Sequence, residues 1–208
     1  MIGLYIILGI VVILLLWAVG QYNGLVKLRN LVQEAWRQID VELQRRHDMI
    51  PNLVQTVKGY AAHERETFEA VTNARAAASQ PNLSPAEHAE QENVLTQALG
   101  KLFAVVENYP DLKANTLFQQ LQTELTNTED RIAAGRRFYN ANVRTMNTKV
   151  ETFPSSIIAG MFGFHREEYF ETQDEAARQA PTVSFDGATA PTVPPDGTTA
   201  PTVSLDDK

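Results

Sequence analysis

NLVQEAWRQIDVELQRRHDMIPNLVQTVKGYAAHERETFEAVTNARA, Asn30 to Ala76, is the longest continuous helical pattern in the chain. Apolar residues recur at Leu25, Leu28, Val32, Ala35, Ile39 and Leu43, then at Ile50, Val54, Val57, Ala61, Phe68, Val71 and Ala74. Steps of three, four and seven put them on one face of a helix. No glycine or proline stands between Leu25 and Ile50. Pro51 lacks an N–H and carries a ring that clashes with the preceding turn, so a kinked rod, or two helices meeting near Met49 to Pro51, is expected. Asp48 can compete for local backbone N–H groups there. Gly59 costs about 1 kcal/mol against alanine in a helix interior and serves close packing or is simply tolerated.

Outward from this rod the flanks differ. MIGLYIILGIVVILLLWAVGQYNGLV has no charged side chain before Lys27, and its apolar run is Ile2 to Val19. Eighteen residues rising 1.5 Å each cover about 27 Å, near the hydrocarbon thickness of a bilayer. Trp17 and Tyr22 stand where interfacial aromatics belong. No basic stretch precedes the run and no small-x-small site closes it, which fits a cleaved signal poorly. Residues 2–19 are therefore expected to contact the lipid bilayer. Lys27, Arg29 and Arg37 follow the span, so the positive-inside rule places the N-terminus outside and the rest in the cytoplasm.

On the other side, AAASQPNLSP (Ala76 to Pro85) reads as a turn, and Ser84, Pro85 and Glu87 form a helix start with a capping box. Leu95, Leu99, Leu102, Phe103 and Val106 stripe the helix that follows, to about Glu107. Asn108-Tyr109-Pro110 ends it. Another helix begins near Lys113 to Thr116, striped by Phe118, Leu121, Leu125, Ile132, Tyr139, Val143, Met146, Val150 and Phe153. At about 35 to 40 residues it is roughly 55 Å long. Two long rods and a shorter one imply an antiparallel, coiled-coil-like bundle. Phe153-Pro154 stops the last rod. SSIIAGMFGFHREEYF then carries Ile157, Ile158, Met161, Phe162, Phe164, Tyr169 and Phe170, too many apolar residues for a solvated loop. It is either a short helix and turn folded back on the bundle, or a docking or membrane-interface contact.

EAWRQIDVELQRRHDMIPNLVQTVKGYAAHE (Glu34 to Glu64), YPDLKAN (Tyr109 to Asn115) and RRFYNANVRTMNTKVETFPSSIIAGMFGFHREEYFE (Arg136 to Glu171) resemble the LemA family of bacterial membrane-anchored proteins. The resemblance covers roughly residues 1–171. It implies an N-terminal apolar segment, a long antiparallel helical bundle and no particular activity.

The 208 residues include no cysteine, which excludes disulfides, thiolate metal sites, a cysteine nucleophile and a lipoprotein anchor. The formal charge is −7. From Glu171 onward, seven acidic and two basic side chains give −5 and leave −2 for the rest. A nearly neutral folded part has no basic footprint for nucleic acid. From Ala180 the chain repeats every ten residues, APTVSFDGAT, APTVPPDGTT, APTVSLDDK. With little to bury, it reads as a disordered, partly extended spacer or a repeated linear motif. Thr182, Thr192 and Thr202 are equivalent in the copies, each with an aspartate four residues on, and are candidate phosphorylation sites.

Reactive motifs are incomplete. His63-Glu64 opens an H-E-x-x-H pattern, but Thr67 replaces the second histidine. His47 and Asp48 are adjacent on a helix and point apart, beside Arg45 and Arg46, which suits a salt-bridged helix end before Pro51. Gln44 stands where an E-x-x-H pair ending at His47 needs glutamate. His88 and His165 have no partners nearby in sequence. Spacing alone does not bring Glu34, Asp40 and Glu42 together with Glu129 and Asp130. There is no G-x-S-x-G turn and no phosphate-cradling glycine loop. Trp36, Arg37, Arg136, Arg137, Tyr139 and Asn140 lie near the stripes, as a register-fixing buried network or as the lining of a partner groove.

These observations together predict an all-α chain: an N-terminal transmembrane helix (residues 1–23), a long antiparallel bundle (24–171) and a disordered acidic tail (172–208). Its expected role is a single-pass scaffold or adaptor of a bacterial inner membrane, with a protein partner or self-association, no catalytic residue, no cofactor and no metal. The rival expectations are a self-assembling envelope-stress or membrane-remodelling element, and a catalytic or metal-handling protein marked by at least three convergent buried ligands.

Overall fold

The computed structural model describes residues 1–171, so the expectations for the tail and its APTV repeats lie outside the described residues. Among these residues every regular element is helical: α1 (Ile2–Lys58), α2 (Arg65–Ala78), α3 (Pro85–Val106), α4 (Pro110–Lys113), α5 (Thr116–Glu151) and α6 (Ser155–Phe162).

α1 does not break at Pro51. It runs unbroken to Lys58, which overturns the expectation of two helices meeting there. The helix keeps its other backbone bonds, and the carbonyl left without a donor by Pro51 finds one elsewhere, as described below. The chain instead turns at Gly59, so the pattern from Asn30 to Ala76 is two helices rather than one. Gly59 caps α1 with ordinary right-handed angles, and Tyr60 and Ala61 N–H both return to the Val57 carbonyl. Ala61 is buried and anchors the turn. The stripe continues across it because α2 folds back onto the same core.

The other starts follow local chemistry. Ser84 Oγ accepts from Glu87 N–H at 3.3 Å, while the Glu87 carboxylate accepts from Ser84 N–H at 2.7 Å. This reciprocal capping box opens α3 with Pro85 in its first turn. Asn115 Oδ1 accepts from Phe118 N–H at 3.0 Å and starts α5, after YPDLKAN has formed the one-turn α4.

α1 and α5 are antiparallel. Arg45 faces Glu124, Glu42 faces Arg131, Ile39 faces Gly135, Trp36 faces Tyr139, and Gly24 faces Lys149. A Cβ on Gly135 would lie 3.0 Å from Ile39 Cγ1, so the glycine permits this close approach. α2 and α3 pack on each other as a second pair. The two pairs share two apolar cores. One holds Ile50, Leu53, Val57, Val71, Leu95, Leu102, Phe118 and Leu125. The other, toward the N-terminal end of α1, holds Leu25, Val32, Ile39, Leu43, Tyr139, Val143, Met146 and Ile158. Residues 2–17 of α1 are exposed, and of the Ile2–Val19 stretch Ala18 is partly buried against the second core.

Candidate functional site

The two cores do not merge. Between them lies a layer of buried polar side chains, at the places where the apolar stripes skip. The α1 stripe jumps from Leu43 to Ile50, and the α5 stripe jumps from Leu125 to Ile132. The inward positions within those gaps are Arg46 and His47 on α1 and Thr128 on α5, all buried. α3 contributes Glu92, buried one helical step before Leu95.

Glu92 is the hub. His47 Nε2 lies 2.6 Å from its Oε1, and Arg46 Nη1 lies 3.2 Å from its Oε2. Arg46 also donates to Thr96 Oγ1 at 2.6 Å and pairs with half-exposed Glu129 at 3.0 Å. His47 Nδ1 lies 3.0 Å from Ser79 Oγ, so both ring nitrogens are engaged. Every buried charge here has a partner, the condition under which an ionic layer is tolerated in an apolar setting. A small cleft of about 290 Å³ opens outside it, bordered by Arg46, Thr96, Phe103, Leu125, Glu129 and Asp130.

RRHD is thus not a salt-bridged helix end. Arg46 and His47 face inward in mid-helix. Asp48 faces solvent and accepts from Gln44 at 2.8 Å. Arg45 pairs on the surface with Glu124 at 2.8 Å. Glu92, Thr96, Ser79 and Arg75 were not legible as partners. The available signal was the charge of Glu92 in register with the α3 stripe, matching the skips in the other two helices.

A second polar arrangement clasps residues 163–171 to α5. Asn147 Nδ2 donates to the Glu167 carbonyl at 2.9 Å, and its Oδ1 accepts from Glu167 N–H at 2.8 Å. Asn140 does the same with Phe170, at 3.3 and 3.0 Å. The two asparagines are seven residues apart on a helix, about 10.5 Å along one face. Glu167 and Phe170 are three apart in extended chain, about 10 Å. The spacings match, so one register satisfies both amides. Between them Tyr139 O–H donates to the Glu168 carbonyl at 2.8 Å. Burial pushes the Tyr139 phenol well up, and the Glu167 and Glu168 carboxylates add to the effect.

Trp36 packs against Tyr139, Phe170 and His88, each at 5.5 Å between ring centroids. Burial lowers the pKa of His88, with the His47 charge adding to it, against the opposing carboxylates of Glu92, Asp40 and Glu87. Of the six polar and aromatic residues near the stripes, the structure gathers Trp36, Tyr139 and Asn140. Arg37, Arg136 and Arg137 remain exposed. Arg37 instead borders an open groove of about 590 Å³ between α1 and α5, with Glu34, Val41, Glu42 and Arg131. Among the described residues no three of His, Asp or Glu converge as a metal-ligand set.

The chain matches the LemA family over residues 35–185. It is similar to Protein LemA of Metamycoplasma hominis, 29 % identical over 156 residues that cover 75 % of this chain and 71 % of the relative. It is also similar to Magnetosome protein MamQ 2 of Paramagnetospirillum magneticum, 28 % identical over 189 residues covering 79 % of this chain and 69 % of the relative. Magnetosome protein MamQ of Magnetospirillum gryphiswaldense is 26 % identical over the same lengths. The ionic layer and the clasp fall within the matched range, while the exposed apolar stretch of α1 precedes it.

Proposed function

Because this chain belongs to the LemA family, we propose that it is a membrane-anchored helical adaptor, non-catalytic, whose bundle holds a protein partner at a set height above the bilayer. Family membership and the exposed apolar helix support a membrane-associated protein. The adaptor role rests on one observation: the anchor and the central rod of the bundle are the same helix. α1 is 57 residues long, about 85 Å at 1.5 Å per residue. Its first third is bare and apolar, and its remainder is buried along one stripe. A rod without a joint transmits its orientation from the bilayer to the bundle.

The surface we assign to the partner is the groove around Val41. That side chain is 66 % exposed between the charges of Glu34, Arg37, Glu42 and Arg131. It stands 22 residues beyond Val19, about 33 Å along the helix. Mixed charge around an apolar centre suits a protein segment and not a polyanion. In this reading the bundle lies in the cytoplasm of a bacterial inner membrane. Lys27, Arg29 and Arg37 support that side, and Lys149 joins them by packing beside Gly24.

The test is crosslinking pulldown from intact membranes with the full chain, a chain ending at Gln179, and Val41→Glu. A discrete partner retained by the shortened chain and lost with Val41→Glu supports the adaptor. A partner lost with the tail moves recognition to the APTV repeats. Self-crosslinks alone favour a self-assembling membrane element, for which exposed Phe138 and Val41 provide apolar surface.

A further inference from the structure

We propose that α6 is a second membrane contact, a short helix whose outer face lies in the headgroup–acyl boundary of the bilayer that α1 crosses; this rests on the anchored reading of α1.

α6 carries no charge, and its two sides differ in burial. Ile158 and Ala159 enter the core, while Ile157, Met161 and Phe162 are 52, 71 and 56 % exposed, and Phe153 just before it is 76 % exposed. Four large apolar side chains on one short segment form a patch that a water-facing surface does not normally carry. The position of the segment identifies what covers it. The Phe162 ring packs on Tyr22 at 4.8 Å between centroids, and Phe164 packs on the same ring at 5.8 Å. Tyr22 lies three residues past Val19, about 4.5 Å along the axis from the end of the apolar run. α6 is therefore level with the point where α1 leaves the hydrocarbon, and its exposed face continues the bare surface of that helix. Interfacial helices bury an apolar face about 5–10 Å into this boundary.

The charges at this level suit the same occupant. Arg29 sits over the Phe164 ring at 5.0 Å, Lys27 is exposed two residues earlier, and Lys149 lies against Gly24. Glu151 is paired with Arg166 at 3.0 Å, which leaves those three cations for lipid phosphates. The clasp explains why α6 stays there. Asn147 and Asn140 hold the chain after it in a single register, and that register seats Phe164 beside Tyr22.

The chain has no cysteine, so single cysteines can report depth in the full-length protein. Nitroxides at Val11→Cys, Met161→Cys and Val94→Cys would be compared in vesicles of phosphatidylethanolamine and phosphatidylglycerol, using oxygen and a water-soluble nickel chelate as relaxants. The expected result is strong oxygen and weak nickel relaxation at 11, the same preference at shallower depth at 161, and nickel access several-fold higher at 94. Nickel access at 161 equal to that at 94, with 11 still in lipid, overturns the α6 contact and leaves the anchor standing. Nickel access at 11 overturns the anchored reading and the α6 contact together. Protection at 161 that disappears as the protein-to-lipid ratio is lowered assigns the patch to a second copy and also overturns the proposal.

Discussion

Arg75 Nε donates to the His47 carbonyl at 2.7 Å, and His47 stands four residues before Pro51. That carbonyl is the one whose helical donor the proline removes. α2 supplies the missing donor from outside the helix, and the same loop region provides Ser79 to the His47 ring. The continuity of α1 through Pro51 is therefore supported by tertiary packing.

Arg75→Ala is expected to lower the stability of the bundle by about 1–3 kcal/mol, the cost of leaving a buried acceptor unpaired. Pro51→Ala restores a backbone donor, so in that background the same substitution costs less. Thermal unfolding of the four full-length variants in nanodiscs measures the coupling. Equal costs in both backgrounds would show that Arg75 acts through packing alone.

Glu92→Leu leaves Arg46 and His47 buried without their common acceptor. The expected loss is about 3–5 kcal/mol, typical of breaking a buried pair from one side. Replacing Arg46 and His47 by Met and Leu in addition removes the uncompensated groups and should recover most of that stability. If the triple variant is as unstable as the single one, the layer contributes shape rather than charge pairing.

Asn147→Ala removes both amide bonds to Glu167 and leaves the backbone of the clasp half satisfied, at about 1–3 kcal/mol per unpaired buried group. Hydrogen exchange should accelerate at 163–171 and in α6, while α2 and α3 remain protected. Acceleration spread evenly over the bundle would mean that the clasp is part of the global fold and does not open locally.

His88 has a pKa below its ordinary value of 6.5 because burial disfavours the imidazolium. The folded chain therefore binds this proton less readily than the unfolded chain. The contribution is fully present above 6.5 and is lost as pH falls from there through the folded value. His88→Phe keeps a ring against Trp36 and removes the titration. Its stability should fall less steeply than that of the wild type as the medium is acidified from neutrality, and identical slopes would exclude His88 as a source of the dependence.

The apolar stripes, the capping box at Ser84, the turn at Asn108-Tyr109-Pro110 and the bare N-terminal run were legible because each is written in residues close together in the chain. Periodicity is a local property, and so is a cap. The skips at 46–47 and 128–129 were legible as gaps, but their meaning depended on Glu92, which arrives on a third helix. Pro51 leaves a kinked rod and two helices as local alternatives because local chemistry offers its orphaned carbonyl no donor, and Arg75 comes from 28 residues away. The matched spacing of Asn140 and Asn147 to Phe170 and Glu167 likewise exists only once helix and extended chain lie side by side. The sequence by itself determined which helices form and which face of each is apolar, since those follow from side chains three and four residues apart. Tertiary structure decided where α1 ends, which charges are buried together and which apolar face of α6 remains bare, because each depends on the groups that other elements bring into contact.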